Sequence, residues 1–383
     1  MGLDGKENQE GRIMTQRFWV GVFLLTVVVC GPVKAAAGDL EKRLKVPEGF
    51  SWTIYAAGIK NARKMQFTEA GALLVTAPSQ DKVLLLEPDH NGDGASDGRR
   101  TLLDGLDGPH GVEVSGGALF VAETQALRRY PFNGKTGQIT GQGVKILDLP
   151  SLKGHWTRTV RLGADGWLYV AAGSSCNVCI EQDQRRAAVL RVRPDGSAWE
   201  IYATGLRNTV GFDWAPWDGA LYGVDNGRDW LGDDFPPCEL NRIVKGGFYG
   251  WPYANGNRVP DPDFGDKAPQ KVTESLPPAH AFGAHVAPLG LAFLAKATLP
   301  PGFERAALAT LHGSWNRSKK AGYKVVSLHW RDDGTIEERD FMTGFLDGQK
   351  VHGRPVDVIV GPNGAIYVSD DYAGNIYRIA YKR

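Results

Sequence analysis

Three histidines lie at equivalent positions, each in a loop just before a segment of strand-like sequence. They are His110, His155 and His352. An imidazole can accept a hydroxyl proton near neutral pH without a large change in its pKa, so His155 is our candidate general base. A single loop histidine is more often a structural residue, but the repeated placement favours a functional role for this set.

Cationic side chains recur on the same side of these segments, in the company of one asparagine. The set comprises Arg158, Arg207 with Asn208, Arg317, Lys319, Lys320 and Arg354. Arginines that converge in a protein of almost no net charge indicate an anionic ligand bound through its carboxylates. For any one of them, a surface salt bridge is the alternative interpretation.

A nine-residue loop, DHNGDGASD, has the spacing of a calcium-binding loop. Side-chain oxygens stand at loop positions 1, 3, 5 and 9, which are Asp89, Asn91, Asp93 and Asp97. Gly94 occupies position 6, where a calcium loop turns sharply, but Arg100 replaces the bidentate glutamate of an EF-hand. We predict a structural calcium ion between strands. The alternative is an acidic hairpin whose Asp and Asn side chains cap turns.

The cysteines suggest an oxidising compartment. Cys176 and Cys179 are separated by two residues and form a disulfide in our preferred interpretation, since the partners for a zinc site are not found nearby. Ile180 follows Cys179 where a covalent haem site requires histidine. Electrons, if the protein transfers any, must therefore leave through an external acceptor.

The first 37 residues have the pattern of a secretory signal peptide. Basic residues precede an uncharged run over residues 18–33, and Ala35, Ala36 and Ala37 follow it. A membrane anchor is the alternative, but this run is shorter than the roughly 20 apolar residues needed to span a bilayer. We expect cleavage before Gly38, a periplasmic or secreted protein that does not span the membrane after cleavage, and one domain over residues 38–383.

The composition of the chain limits its possible partners and folds. Of the 383 residues, 42% are hydrophobic and 23% charged, which is typical of a globular protein. The 49 glycines and 22 prolines disfavour an all-helical fold, because both residues destabilise helix interiors. A formal net charge of +1 removes the electrostatic attraction on which nucleic-acid binding depends. We expect no nucleic-acid partner.

One short pattern, a turn followed by an apolar strand, recurs six times. The units begin at Gly71, Gly117, Gly166, Gly219, Arg305 and Gly364, with spacings of 46, 49, 53, 86 and 59 residues. These spacings suit four-stranded propeller blades, apart from one long insertion at about residues 225–285. An array of β-sandwiches is the alternative, but it would not need six similar units. We therefore predict an all-β fold, a six-bladed β-propeller of four-stranded antiparallel blades.

The segment from Phe50 to Ala57 precedes the first unit and has no partner within it. We expect this segment to supply the strand that closes the ring in the last blade. Long loops on a rigid scaffold usually carry function, so the insertion is a further candidate for the site.

Several longer motifs resemble the pyrroloquinoline-quinone (PQQ)-dependent soluble sugar dehydrogenases, in particular the sorbosone and aldose sugar dehydrogenase branch. The resemblance runs from about Val46 to the C-terminus. It is carried by GHWTR at 154–158, GSSCNVC at 173–179, GLRN at 205–208, DNGRDWLGDD at 225–234, ELNRIVKGGFYGWP at 239–252 and HGRP at 352–355. The family's fold is a six-bladed propeller, which agrees with the number of repeats.

The resemblance implies roles for individual residues. His155 resembles the catalytic base, and the cofactor-binding set would be His110, Arg207, Asn208, Arg317, Lys319 and Arg354. The backbone carbonyls of Gly227 and Arg228 would hold an active-site calcium ion. Two positions depart from the glucose dehydrogenases. Ser174 stands where they place an acidic partner of the base, and Val356 stands where they place a second arginine.

The function implied is PQQ- and calcium-dependent oxidation of an aldose or related sugar aldehyde to a lactone or acid. A soluble cytochrome or quinone would reoxidise the cofactor. A calcium-dependent lactonase also uses a six-bladed propeller and is one alternative, although it would need several axial carboxylates rather than cations. A non-catalytic binding propeller is the other alternative.

Overall fold

The computed structural model describes residue 40 and residues 42–150 and 154–382. The predicted signal peptide and its cleavage site before Gly38 lie outside the described residues. Within the described part of the chain, no helix is long and apolar enough to cross a membrane.

Six antiparallel sheets form the blades of a propeller, as predicted. From inner to outer strand, blade 1 contains Met65–Phe67, Leu73–Ala77, Lys82–Leu86 and Arg99–Leu103, blade 2 Gly111–Ser115, Ala118–Ala122, Ala126–Asn133 and Val144–Asp148, and blade 3 Arg158–Leu162, Leu168–Ala172, Ala188–Val192 and Trp199–Thr204. Blade 4 contains Thr209–Trp214, Leu221–Asp225, Pro237–Ile243 and His280–Ala284, blade 5 Pro288–Phe293, Ala306–Leu311, Lys324–Trp330 and Ile336–Met342, and blade 6 Pro355–Val360, Ile366–Asp370, Asn375–Tyr381 and Phe50–Ala56.

The remaining elements are short and lie between or beside the blade strands. They are the strand Gln138–Ile139 beside blade 2, the ribbons Ala254–Asn255 with Val259–Pro260 and Leu346–Asp347 with Lys350–Val351, the 3₁₀ turns Pro78–Gln80 and Gly265–Lys267, and the helix Pro269–Glu274.

The six inner strands contact one another in a closed ring around the axis. The strands approach closely because glycines face their neighbours. A Cβ atom on Gly111 would lie 2.6 Å from the Arg158 carbonyl oxygen, and one on Gly290 would lie 2.8 Å from that of Val356. The inner strands therefore pack closely around the axis.

The N-terminal strand closes the ring, which confirms the expectation for this segment. Phe50–Ala56 is the outer strand of blade 6, where it pairs antiparallel with Asn375–Tyr381 from the end of the chain. The two ends of the chain are thereby joined by a hydrogen-bonded ladder, and the propeller has no open seam between its first and last blades.

Each of the six repeated units becomes the second strand of its blade. Leu73–Ala77, Ala118–Ala122, Leu168–Ala172, Leu221–Asp225, Ala306–Leu311 and Ile366–Asp370 are buried along their whole length. They are buried on both faces because each blade packs against two neighbours. This explains why the repeat is a run of small and apolar residues rather than a polar and apolar alternation.

The long insertion lies within blade 4, between its third and outer strands. The predicted range of about 225–285 therefore includes two blade strands, Pro237–Ile243 and His280–Ala284, and the inserted segment proper covers residues 244–279. These strands were not recognised from the sequence, because Pro237 begins one of them and a glycine lies within the other. The insertion is anchored to the propeller by Arg228, whose guanidinium contacts the buried Asp261 carboxylate at 2.6 and 2.8 Å.

Candidate active site

Loops before the inner strands and after the second strands meet at one end of the propeller. Antiparallel order places both kinds of loop on the same face. Together they form a cleft of about 100 Å³ whose lining includes His155, Arg207, Asn208, Cys238, Trp315 and Asn316. Three residues predicted from the sequence, His155, Arg207 and Asn208, thus share one cleft.

The hydrogen bonds of His155 determine which ring nitrogen carries its proton. Nδ1 lies 3.0 Å from both the main-chain oxygen and the hydroxyl of Ser174. The Ser174 hydroxyl donates its own hydrogen to the Cys176 carbonyl at 2.6 Å, so both Ser174 oxygens act as acceptors toward the ring. We therefore assign the proton to Nδ1, which leaves Nε2 with a free lone pair. This is the tautomer that a general base requires.

The pKa of His155 is lowered to about 3. Burial is the main cause, and the positive charges of Arg207, Arg186 and Arg158 add to it. The imidazole is therefore neutral throughout the physiological range. A bound anion would offset the arginine charges and raise this pKa, which would make Nε2 a stronger base.

The Cys176–Cys179 pair forms a disulfide, as expected from the sequence. Asn177, inside the four-residue loop that it closes, holds Arg207. The main-chain and side-chain oxygens of Asn177 each accept a hydrogen bond of 2.9 Å from that guanidinium. The same loop supplies the Cys176 carbonyl that orients Ser174. The disulfide loop thus supports both the candidate base and an arginine of the cleft.

Arg207 and Asn208 differ in how fully their polar atoms are used. The Arg207 guanidinium also donates to the Gly227 carbonyl at 2.8 Å and contacts Asp229 at 3.0 Å. The main-chain N–H of Asn208 donates to Asp225, but its buried side-chain Oδ1 has no partner. Gly173 permits this packing, since a Cβ there would lie 2.4 Å from Asn208 Oδ1. Asn208 therefore retains an acceptor available to a ligand.

Three arginines around this end of the propeller donate only to main-chain carbonyls. Arg158 and Arg186 both bond the His155 carbonyl, and Arg354 bonds the carbonyls of His312 and Gly313. None of the three has a carboxylate within salt-bridge distance among the described residues. Arg158 and Arg186 are buried, whereas Arg354 is partly exposed, so Arg354 is the one of the three that could contact an anionic ligand.

His110 and His352 have different surroundings from His155. His110 is buried, its Nδ1 lies 3.1 Å from the Arg158 carbonyl, and its Nε2 has no partner. Burial and the charges of Arg63 and Lys64 hold its pKa well below the ordinary value, so this ring is neutral. His352 also has an unpartnered Nε2. A cofactor contact by His110 stays a prediction.

The cations predicted in the fifth blade point elsewhere. The Arg317 guanidinium contacts Asp234 at 3.1 Å and the carbonyls of Asp233 and Ala284. Lys319 is exposed. Neither residue lines the cleft in this structure, so their predicted role in cofactor binding has no geometric support here. Both were selected from sequence because the strand that precedes them ends on the correct face.

The structure does not assemble a calcium ligand set at the predicted positions. The Gly227 carbonyl faces the Arg207 guanidinium, and Arg228 uses its side chain to anchor the insertion. Over the described ranges, only Cys176, Cys179 and Glu181 meet the spacing of a three-residue metal group, and the two cysteines are disulfide-bonded. Calcium at Gly227 and Arg228 stays a prediction.

The Asp89 loop is exposed, and its side chains bond its own main chain. The Asp89 carboxylate accepts from the amides of Gly92 and Gly94, Asn91 accepts from Asp93, and Asp93 accepts from Ala95. Asp97 accepts from the His90 amide. These contacts fit the capped-turn alternative and leave calcium binding untested.

Several residues of this region were not selected from the sequence. Asp229 links the loops of blades 4 and 5, since it bonds both Arg207 and the side chain of Asn316. His312 Nε2 lies 2.9 Å from Asp371, which also pairs with Arg63. Asp229 lies within a motif that signalled the family, and so does Asn177. For Arg63 and Asp371 no local signal exists, because they lie 308 residues apart.

A wider cavity of about 390 Å³ lies at the opposite end of the inner strands, lined by Phe67, Trp214 and Val360 among others. None of the predicted site residues lines it. The smaller cleft at the His155 end therefore remains the candidate active site, because the predicted base lies there with Arg207 and Asn208.

A family model for TrAA12-like proteins matches residues 44–236 and 260–382. The chain belongs to the TrAA12-like family. A Borreliella burgdorferi protein of uncharacterised function is 29% identical over 94% of this chain and 97% of its own length. A protein of Hypocrea jecorina named pyrroloquinoline quinone-dependent sugar dehydrogenase is 25% identical over 79% of this chain and 81% of its own.

The same fold is found in solved structures. A Trichoderma reesei protein of carbohydrate-active enzyme family AA12 superposes with a TM-score of 0.77 at 20% identity, covering 88% of this chain and 98% of that chain. The family membership confirms the resemblance inferred from the motifs. The family model leaves residues 237–259 of this TrAA12-like protein unmatched. They comprise the third strand of blade 4, Pro237–Ile243, and the first part of the insertion that follows it.

Proposed function

We propose that this protein is a quinoprotein sugar dehydrogenase that oxidises the anomeric carbon of an aldose, or a related sugar aldehyde, with PQQ as its cofactor. The observation that carries the proposal is His155, whose Nδ1 is held by Ser174 and whose Nε2 has a free lone pair in a cleft that Arg207 and Asn208 also line. The names of the relatives support the same class of chemistry.

The chain's own residues account for the binding of an anionic quinone and for the proton. Arg354 and Arg207 provide positive charge, and Asn208 Oδ1 is the unpaired acceptor that a polar ligand would satisfy. PQQ, when bound, supplies the two-electron acceptor for the hydride that leaves the anomeric carbon.

The proton balance follows from the tautomer of His155. The hydroxyl of the anomeric carbon transfers its proton to Nε2 as the carbon–oxygen double bond of the lactone forms. Nδ1–H continues to donate to Ser174 during this step, so the ring stays in place while its charge changes. For a hydrated aldehyde, the same proton transfer produces the acid.

We further propose that the protein acts in the periplasm or is secreted, and that a soluble cytochrome or quinone accepts its electrons. Calcium dependence is part of the proposal, with the main-chain carbonyls of Gly227 and Arg228 as its candidate ligands. A lactonase is not favoured, because no cluster of carboxylates lines the described part of the cleft.

The test is a titration of PQQ into the mature protein with and without calcium, followed by dye reduction with a panel of aldoses. We expect an absorbance change on binding and turnover with at least one aldose. The variant His155→Gln should bind the quinone and lose turnover, whereas Arg354→Ala should bind it weakly and recover turnover at excess quinone. If the wild type neither binds PQQ nor reduces the dye, the proposal is wrong.

A further inference from the structure

Two tryptophans project from the mouth of the cleft into solvent. Trp230 is 68% exposed and Trp315 is 65% exposed, which is more than any other large hydrophobic residue among those the structure describes. Their rings contact each other edge to face, with centroids 5.2 Å apart and an interplanar angle of 83°. Two indole rings exposed to water do not gain the free energy of apolar burial. Their exposure therefore indicates a binding role.

The backbone on both sides of the pair is held rigidly. Trp230 has a φ of 71°, a conformation that costs energy for a bulky residue. Its neighbour Asp229 is fixed by Asn177 and Arg207, and it also accepts a hydrogen bond of 2.8 Å from Asn316, the neighbour of Trp315. One hydrogen bond therefore joins the two loops directly beneath the two rings.

The other neighbour of Trp315 is equally fixed. The Ser314 main-chain amide donates to the Ala321 carbonyl, the Ala321 amide donates to the Ser314 hydroxyl, and the Tyr323 hydroxyl donates to the Ser314 carbonyl at 2.6 Å. The aromatic pair is thus a preorganised surface rather than two mobile side chains, and a ligand that packs against it loses little affinity to ordering.

The surroundings identify the chemistry of the ligand. Asn316, which follows Trp315 in the chain, has a buried Oδ1 without a hydrogen-bond partner. A hydrophobic protein partner would need a larger apolar patch. A pyranose ring fits this arrangement, because its C–H face packs on an indole while its hydroxyls bond polar groups at the edge.

The exposure of the rings shows which pyranose they would contact. Trp315 lines the cleft of about 100 Å³ that contains His155, yet most of its ring lies outside. We propose that Trp230 and Trp315 form a subsite for the sugar ring next to the one that is oxidised. The preferred substrates would then be disaccharides or longer oligosaccharides with a free reducing end. The oxidation of these sugars rests on the proposed function, whereas their binding to the two tryptophans does not.

The binding test uses methyl β-glucoside and methyl β-cellobioside, which cannot be oxidised at the blocked anomeric carbon. Calorimetric titration of the mature protein, before and after addition of PQQ, should show tighter binding of the disaccharide glycoside. Trp230→Ala should weaken that binding by about threefold to tenfold and leave the monosaccharide glycoside unchanged, and Trp315→Ala should weaken the disaccharide glycoside more than the monosaccharide glycoside. Trp230→Asn, which suits the positive φ, should behave like the alanine variant. Trp199→Ala, an exposed position on the outer strand of blade 3, is the matched control.

The kinetic test compares glucose with cellobiose and maltose. Trp230→Ala should raise KM for a disaccharide by the same threefold to tenfold as the loss of binding. It should cause little change in kcat or in KM for glucose. Equal affinity of the wild type for the two glycosides, or an equal loss for both in the variants, would overturn the subsite. Binding of the disaccharide glycoside with no turnover of glucose, cellobiose or maltose would instead contradict the dehydrogenase and leave the subsite in place.

Discussion

Replacing His155 by glutamine should change two separate properties of the protein, its acid stability and its turnover. The pKa of His155 in the folded protein is about 3, against 6.5 for the free side chain. The unfolded chain therefore binds more protons between these values, so stability falls as pH falls from about 6.5 toward 3. At pH 4.5 the difference of two units corresponds to about 2.7 kcal/mol relative to neutral pH.

The assay is urea unfolding of wild type and variant at pH 7.5, 5.5 and 4.5. His110 and His312 also have lowered pKa values, so both proteins should lose stability in acid. His155→Gln removes one contribution and should lose about 3 kcal/mol less than wild type between pH 7.5 and 4.5. His90→Gln, on the exposed Asp89 loop, is the control and should follow wild type.

Turnover of the same variant should fall by roughly 10² to 10⁴, or about 3 to 5 kcal/mol of barrier, if Nε2 is the proton acceptor. An equal loss of stability in wild type and variant would refute the conclusion that His155 is held neutral by burial and arginines. Near-normal turnover of the variant would refute its role as the base.

Three further perturbations test how the site is supported. Gly173→Ala would place a Cβ 2.7 Å from that of His155, so we expect at least tenfold slower turnover and a lower melting temperature, whereas Gly98→Ala, with 3.8 Å of space, should change neither. The double variant Cys176→Ser with Cys179→Ser should lose about 2 kcal/mol in urea unfolding and bind the quinone more weakly, because Asn177 no longer fixes Arg207; unchanged binding would contradict this support. Calcium at a hundredfold excess over its dissociation constant should stabilise the protein by about 2.7 kcal/mol, with a smaller rise in melting temperature for Asp93→Ala, and an identical rise would remove the Asp89 loop as a site.

The fold could be predicted because its signal is local and repeated. Each unit, such as Gly364 to Val368, combines a turn with a strand that must be buried on both faces. Six copies at blade spacing leave few other architectures, and the segment from Phe50 was recognisable as the closing strand because it had no partner of its own. The outer strand of blade 4 was obscured because 36 residues of insertion, 244–279, separate it from the third strand.

The site was only partly predictable, for a physical reason. His155, Arg207 and Asn208 lie in short motifs beside the second strands, so their face was correctly inferred. The direction of a long side chain depends on partners that are distant in sequence. Arg317 is turned away from the cleft by Asp233 and Asp234, some 84 residues earlier, and no local pattern indicates that contact.

Ser174 stands where the glucose dehydrogenases place an acidic residue, and this difference affects the pKa of His155. A carboxylate at this position would both orient the imidazole and raise its pKa through its charge. Ser174 orients the ring through two neutral oxygens but provides no charge to oppose burial, which is the main cause, and the nearby arginines, so the pKa of His155 falls. If His155 is the base, as we propose, a negatively charged ligand would raise its pKa. An anionic quinone would supply this charge, which couples cofactor binding to base strength and keeps the ligand-free protein from abstracting protons efficiently.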